Sequence, residues 1–290
     1  MNIARLPRTH RLEPKAALSL LCLAACLSAG VATSCAPAVA AQAADNQEYS
    51  VRIAYKAGEV NRYRWIIETK FKDAQDGKEK PLFIRMILKE TTKAVKPDGA
   101  AVLESGFEEA YAKIGDQEED DSAQMPRRIT QTRDPLGRVL EGKIEGGNPL
   151  VVGASGGETM FSQTAVAFYP PGPVKIGDTW KIALTPKNPK LGTYQMNGTA
   201  TLLGTETIEN VKTLKIKATT ETTGSDKTAA RLHFEGVGNL DAVTGKLLRL
   251  SGTSQSFAGT LGNNPIQIHA ELLTDAGKAG AEKKADTKKP

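Results

Sequence analysis

The strongest constraint on this chain is an alternation of apolar and polar residues that recurs between Glu48 and Thr274. A period of two places successive side chains on opposite faces of a β-strand. In segment 62–71, one face takes the large apolar side chains Tyr63, Trp65, Ile67 and Phe71. The other face takes mostly arginine, glutamate and lysine. This segment is therefore predicted to be a half-buried strand.

The same alternation recurs in six further segments. Their apolar sets are Leu82, Ile84, Met86 and Leu88; Trp180, Ile182 and Leu184; Tyr194, Met196, Ala200 and Leu202; Leu214, Ile216 and Ala218; Leu232, Phe234 and Leu240; and Ile266, Ile268, Ala270 and Leu272. Turn sequences such as Pro97-Asp98-Gly99, Glu209-Asn210 and Thr244-Gly245 separate these segments. We predict about ten to twelve strands, mostly joined as antiparallel hairpins.

A sheet with one apolar face has to cover that face, and the chain offers one good helix candidate, at residues 158–168. We therefore predict an all-β protein. Its antiparallel meanders should form a curved sheet, a sandwich or a partial barrel, with at most one short helix.

The turn sequences also predict an internal repeat. Lys56-Ala-Gly58 resembles Lys175-Ile-Gly177, and Asp134-Pro-Leu-Gly137 resembles Asp241-Ala-Val-Thr-Gly245. The predicted single domain covers residues 44–275. It is divided into repeat one (48–145), a Gly/Pro-containing linker (146–172) and repeat two (173–273).

Residues 1–43 are predicted to be a signal peptide with a small-residue cleavage region. A basic stretch ends at Lys15, and the apolar run after it is shorter than the ~20 residues of a membrane span. Cleavage near Ala40 is favoured, since Pro37-Ala-Val-Ala40 offers small residues. The alternative is the lipobox-like Leu23-Ala-Ala-Cys26, in which Cys26 would carry a lipid. We expect a periplasmic or secreted bacterial protein, or else a lipoprotein anchored through Cys26.

The three cysteines, Cys22, Cys26 and Cys35, all precede the predicted domain. A domain without cysteine can form no disulfide, thiol nucleophile or cysteine-based zinc site. Its stability must come from burying a core, which a domain of this length can supply.

The net charge of +5 resides at the two ends of the chain. Residues 1–43 hold four bases and one acid, and residues 278–290 hold five lysines and two acids. Subtracting these from 38 bases and 33 acids leaves 29 bases and 30 acids. We therefore expect no nucleic-acid partner. Residues 276–290 should be a disordered basic tail, with contact to anionic surfaces as its alternative role.

Two resemblances follow from these motifs. The export signal, the Lys-x-Gly-[Asp/Glu] strand openings and the Asp-x-x-(x)-Gly-[Arg/Lys] hairpins resemble a class of uncharacterised exported bacterial β-proteins. The curved-sheet pattern is also similar to periplasmic lipoprotein carriers, whose half-barrel holds an acyl chain under several helices. This sequence departs from that pattern, because it offers one helix candidate.

Ser155 is the one candidate nucleophile, in Gly153-Ala-Ser155-Gly-Gly157. Histidines of the predicted domain occur only at His233 and His269, so the trypsin-like order is excluded. The order Ser155, Asp241, His269 fits α/β-hydrolases, but those enzymes place the serine on a strand-to-helix turn of a parallel sheet. A Gly/Ser loop is the favoured interpretation.

His233 and His269 fall on the polar faces of their strands, so solvent-facing histidines are favoured over a shared metal site. The acidic run Asp116–Asp121 lacks the glycine and spacing of a calcium loop, and we predict a solvated hairpin tip. Trp65 and Trp180 lie on apolar faces and are predicted to be core anchors. We predict no catalytic residues, no metal and no cofactor, and the ligand-binding residues stay unassigned.

The function favoured by these patterns is an exported, non-catalytic envelope protein that binds a lipid or other apolar ligand within a curved β-sheet. The first alternative is a structural or protein-interaction module of the envelope, which would use sheet edges or polar faces. A serine hydrolase using Ser155 is the lesser alternative. No transmembrane span is expected in the mature protein.

Overall fold

The computed structural model describes residues 47–72, 77–120, 122–147, 167–185, 187–188, 192–224, 231–256 and 264–273. The predicted signal peptide, Ser155 and the basic tail lie outside these residues. Within them no helix is long and apolar enough to span a bilayer.

Thirteen strands form the described part of the fold, which confirms the all-β prediction. The first six are β1 (Val60–Lys72), β2 (Glu79–Val95), β3 (Ala101–Ile114), β4 (Gln117–Asp120), β5 (Arg128–Arg133) and β6 (Val139–Glu145). A 3-10 helix at Ser122–Gln124 separates β4 from β5. The remaining seven are β7 (Thr179–Leu184), β8 (Lys187–Asn188), β9 (Gly192–Ile208), β10 (Val211–Gly224), β11 (Arg231–Asp241), β12 (Leu247–Ser256) and β13 (Pro265–Leu272).

The strands form one antiparallel sheet with the order β6-β5-β3-β2-β1-β13-β12-β11-β10-β9-β7. The two short strands β4 and β8 pair beside this path, and they explain why the count exceeds the predicted ten to twelve. Each half of the sheet is a meander in chain order, and the halves join where β1 pairs with β13. Strands β6 and β7 end the path, and among the described strands no pairing joins them.

One face of the sheet, which we call the inner face, carries the apolar residues of the alternating pattern. Most of those that the structure describes belong to one hydrophobic cluster, which reaches along the sheet from β3 to β7 and indicates a curved sheet. Its members include Trp65 and Trp180, 5% and 7% exposed, so both tryptophans are core anchors as predicted. Burial of side chains of this size stabilises the fold by about 1.5–3 kcal/mol each. The opposite, outer face carries most of the charged residues.

Two segments without regular structure lie over part of the inner face. We call residues 47–56 the covering segment. It pairs with the second segment, 167–174, through hydrogen bonds between Tyr49 and Val174 of 2.8 and 3.0 Å. Farther along, the Ile53 amide donates to the Pro135 carbonyl at 2.7 Å and the Ala54 amide to the Thr244 carbonyl at 2.8 Å. The covering segment is thus attached to one hairpin turn from each half of the sheet.

The aligned sequence motifs have matching local hydrogen bonds. The Gly58 amide donates to the Thr92 carbonyl at 2.8 Å, and the Gly177 amide donates to the Leu202 carbonyl at 2.7 Å. At the hairpin turns, the carboxylates of Asp134 and Asp241 each accept hydrogen bonds from two backbone amides that lie two to four residues later in the chain. The motifs are therefore equivalent locally, and the duplication itself stays a prediction.

The helix predicted at 158–168 falls mostly outside the described residues. Its last two residues, Ala167 and Phe168, lie in a turn, and both are buried. Phe168 packs on β11 at Gly238, where a Cβ atom would approach the phenylalanine ring to 2.9 Å. A glycine is needed here because the ring occupies the space of a side chain.

Candidate ligand-binding site

A cavity of about 80 Å³ lies between the inner face and its two covering segments. We call it the inner cavity. The covering segment, the second covering segment, strands β1, β2, β5 and β12 and the two hairpin turns all contribute to its lining. The lining residues are Ile53, Tyr55, Asn61, Tyr63, Trp65, Leu88, Glu90, Arg133, Gly137, Tyr169, Lys246 and Leu247. Cavities with apolar walls and a few convergent polar groups are the usual form of a small-ligand site.

A buried ion pair forms one side of the cavity. The Arg133 guanidinium lies 2.9 Å from the Glu90 carboxylate, and the two side chains are 18% and 8% exposed. Arg133 also donates from Nε and Nη2 to the Gln131 side-chain oxygen, at 2.8 and 2.6 Å. Because its hydrogen bonds are taken up by neighbours, Arg133 is held in place rather than left available.

A second ion pair joins Lys246 of the β11–β12 turn to Glu59, which precedes β1. Their side chains are 13% and 27% exposed. Arg133, Lys246 and Glu90 line the cavity and Glu59 does not, but each of these charges has an ion-pair partner of opposite sign, so the two pairs are balanced. A buried charge without a partner is costly, and this balance favours a ligand without net charge.

Three tyrosines complete the wall. Burial raises the pKa values of Tyr55, Tyr63 and Tyr169 well above the ordinary value of 10.0, so all three phenols stay protonated at neutral pH. The Tyr169 hydroxyl donates to the Gly245 carbonyl at 2.8 Å. Within the described part of the chain, the Tyr63 hydroxyl and the Asn61 amide have no hydrogen-bond partner. These two groups can therefore bind a ligand or water in the cavity.

The raised tyrosine pKa values predict a loss of stability at alkaline pH. A tyrosine that ionises more easily in the unfolded chain destabilises the fold above pH 10, by up to about 1.4 kcal/mol per pH unit. Below pH 10 the effect vanishes, because both states are protonated. Urea unfolding between pH 8 and 11 should show this decline, with a shallower slope for Tyr63→Phe. Parallel curves for the two proteins would contradict the burial of this phenol.

The structure separates the two histidines that the sequence offered as a metal pair. His233 lies on β11 and His269 on β13, with β12 between them. Both lie on the outer face, as predicted. The His269 Nδ1 is 3.1 Å from the Ser251 hydroxyl, and the His233 Nδ1 is 3.9 Å from the Glu221 carboxylate. In the described residues no group of three potential metal ligands occurs.

The acidic run lies in a hairpin, but only Asp116 is in the turn at its tip, while residues 117–120 form β4, which pairs with β3. β3 ends at Ile114, and β4 begins at Gln117. Glu118 pairs with Lys113 across this hairpin at 3.3 Å. The Ser155 hypothesis lies outside the described residues and stays untested.

The sequence marks the inner cavity by polar residues at positions of the apolar face. Glu90 continues the spacing of Leu82, Ile84, Met86 and Leu88, and it faces inward for that reason. Asn61 likewise shares the spacing of Tyr63. A polar or charged residue on the apolar face of a strand needs a buried partner, which marks such positions as site candidates. The partner itself, Arg133 on β5, could not be identified without the strand order.

No protein-family model matches this chain, and no curated protein matches it. Among solved structures, one match is a Bacteroides fragilis protein described as exported, with a YmcC-like fold. It has 10% identity and a TM-score of 0.28, covering 77% of this chain and 97% of that one. Another is DynF from the dynemicin biosynthesis pathway of Micromonospora chersina, at 8% identity and a TM-score of 0.21, covering 79% and 86%.

A third match is described as an outer membrane lipoprotein-sorting protein domain from Vibrio parahaemolyticus. It has 11% identity and a TM-score of 0.17, covering 77% of this chain and 90% of that one. The first and third of these proteins are described as exported and as lipoprotein-sorting, which are the two classes of protein that the sequence resembles. At these identities and TM-scores they carry no argument about function, which must come from the site.

Proposed function

We propose that this chain is an exported, non-catalytic binding protein of the bacterial envelope. Its ligand is uncharged and has an apolar part and a hydrogen-bonding group, and the inner cavity holds it. The observation that carries this proposal is the pair of polar groups, the Tyr63 hydroxyl and the Asn61 amide, that line an apolar-walled cavity without a partner in the described chain. Both residues are half-buried. A few polar groups placed in this way among mostly apolar walls are the groups that orient a small ligand.

The walls suit a ligand with two different ends. Trp65, Leu88 and Leu247 offer an aromatic and aliphatic surface, while Tyr63 and Asn61 offer a hydroxyl and an amide. The balanced ion pairs disfavour a ligand with net charge. A lipid with an uncharged polar end fits this description, and so does a smaller amphipathic molecule.

The volume limits what the cavity encloses. About 80 Å³ is well below the roughly 300–1,000 Å³ of sites that enclose drug-sized ligands. The cavity as it stands therefore holds a small molecule or one end of a larger one. A whole acyl chain would require the covering segment to separate from the sheet, which would break its backbone hydrogen bonds to Val174, Pro135 and Thr244.

Native mass spectrometry of protein purified from its own host tests this proposal. Wild-type protein should carry a bound mass that extraction identifies as an uncharged molecule. In Tyr63→Phe the ligand loses one hydrogen bond, worth about 1 kcal/mol, so retention should fall roughly 5-fold. Tyr111→Phe is the matched control, because Tyr111 is on the outer face, against Phe83 and Arg85.

Two results would contradict the proposal. One is wild-type protein without bound mass. The other is equal loss of ligand from both tyrosine variants, which would place the ligand elsewhere. A specific protein partner recovered in the same purification, without any small molecule, would favour the alternative of a structural or interaction module.

A further inference from the structure

Strand β6 (Val139–Glu145) forms one end of the described sheet. Of the described strands, only β5 pairs with it, so one edge of β6 has no described strand beside it. Residues 139–143 are all exposed, including Val139 at 36% and Leu140 at 55%. An exposed edge strand presents unpaired backbone groups and is a template for strand addition.

The sequence of β6 is complementary to itself. It reads Val-Leu-Glu-Gly-Lys-Ile-Glu, with Gly142 in the middle. When two copies run antiparallel with their Gly142 residues opposite each other, Glu141 faces Lys143 of the second copy. Leu140 then faces Ile144. Two-fold symmetry produces each of these pairs twice, and cross-strand pairs of opposite charge or of two apolar residues stabilise a sheet.

The backbone of β6 is in the phase that this pairing requires. The Glu145 carbonyl accepts a hydrogen bond from the Arg127 amide at 2.9 Å, so it points toward β5. Because successive residues of a strand direct their backbone groups to opposite sides, Ile144 and Gly142 point toward the free edge. Two Gly142 residues can then exchange both of their N–H···O=C hydrogen bonds.

Neighbouring registers are unfavourable. Moving the symmetry axis to residue 141 places two glutamates opposite each other, and moving it to 143 does the same with two lysines. Like charges directly opposite destabilise a strand pair. The charge pattern therefore disfavours both registers that are shifted by one residue from the one centred on Gly142.

We propose that the protein forms a two-fold symmetric dimer through antiparallel pairing of its β6 strands, which extends the sheet across two copies. This inference is independent of the proposed ligand. The side chains that would pair are available. Lys143 is 74% exposed and pairs with Glu145 of its own strand at 2.9 Å, and Glu141 has no ion pair with another described residue. A second copy is the partner whose charges and apolar residues match this edge.

Sedimentation velocity of the purified chain, over a range of concentrations, tests the dimer with charge variants. Wild-type protein should dimerise. In the Glu141→Lys dimer, two lysines face each other at each of the two symmetry-related pairs of positions 141 and 143. In the Lys143→Glu dimer, two glutamates face each other at each of these pairs. Each should weaken the dimer roughly 10- to 30-fold, because two attractive pairs become repulsive. Circular dichroism should show that both variants keep the β fold.

Two rescue measurements exclude a general surface effect. The double variant Glu141→Lys/Lys143→Glu restores opposite charges and should restore the dimer. An equimolar mixture of the two single variants should form a heterodimer, because a strand with two lysines then meets a strand with two glutamates. A monomeric wild-type protein, or single variants that dimerise as well as wild type, would overturn the proposal. So would failure of both rescues.

Discussion

Replacing Arg133 with methionine should lower the free energy of unfolding by about 3–5 kcal/mol. The substitution keeps most of the side-chain volume but leaves the Glu90 carboxylate, 8% exposed, without its ion-pair partner. The cost therefore comes mainly from an uncompensated buried charge rather than from a lost attraction. Urea unfolding at pH 7, followed by tryptophan fluorescence, measures it.

Two further variants distinguish the effect of the unpaired Glu90 charge from the loss of packing and from the loss of an ordinary exposed ion pair. Glu90→Leu/Arg133→Met removes both charges, so most of the loss should be recovered, since a buried ion pair can be replaced by apolar residues at little cost. Arg128→Met, on the same strand, breaks the exposed pair with Glu145 and should cost less than about 1 kcal/mol.

A loss that is equally large in the single and double variants would show that packing, not charge, explains the effect.

Replacing Gly245 with alanine should destabilise the fold by more than about 3 kcal/mol. Gly245 has a φ of 66°, a left-handed conformation that costs other residues about 1–2 kcal/mol. A Cβ atom here would also collide with the Arg52 carbonyl of the covering segment. The alanine therefore imposes backbone strain and pushes the covering segment off the β11–β12 turn.

Gly58→Ala is the matched control for this prediction. Gly58 has a φ of 81°, and nothing lies within 4 Å of its would-be Cβ atom. It should therefore show the backbone strain alone, about 1–2 kcal/mol. Thermal and urea unfolding measure both variants, and hydrogen exchange of the Ile53 and Ala54 amides reports on the covering segment. Equal losses in the two variants would contradict the close approach at Gly245.

The alternation of residues predicted much of the fold, because a period of two specifies both the strand and the face of each side chain. Tyr63, Trp65, Ile67 and Phe234 were assigned to the apolar face in this way. The turn sequence Glu209-Asn210 was also predictable, and both residues adopt positive φ, as a tight hairpin requires. The sequence motifs thus specified strands and turns through local physics.

The site depended on contacts between distant parts of the chain. Glu90 and Arg133 lie 43 positions apart in the sequence. They meet because the strand order places β2 and β5 on either side of β3, and their long side chains reach each other across that one strand. Tyr169 is held at the cavity by the hydrogen bond from its hydroxyl to the Gly245 carbonyl, and the covering segment by backbone hydrogen bonds to hairpin turns. No periodic pattern predicts these contacts. Partners of this kind follow from strand order and turn position rather than from any single segment.

By itself the sequence determined that this chain is a β protein with one apolar face, because side-chain alternation is a property of each strand. The tertiary structure decided which polar residues on that face meet, where the cavity lies and which strand forms an edge. These depend on strand order and on how the covering segment crosses the sheet. The free energy of such contacts comes from groups that only folding brings together.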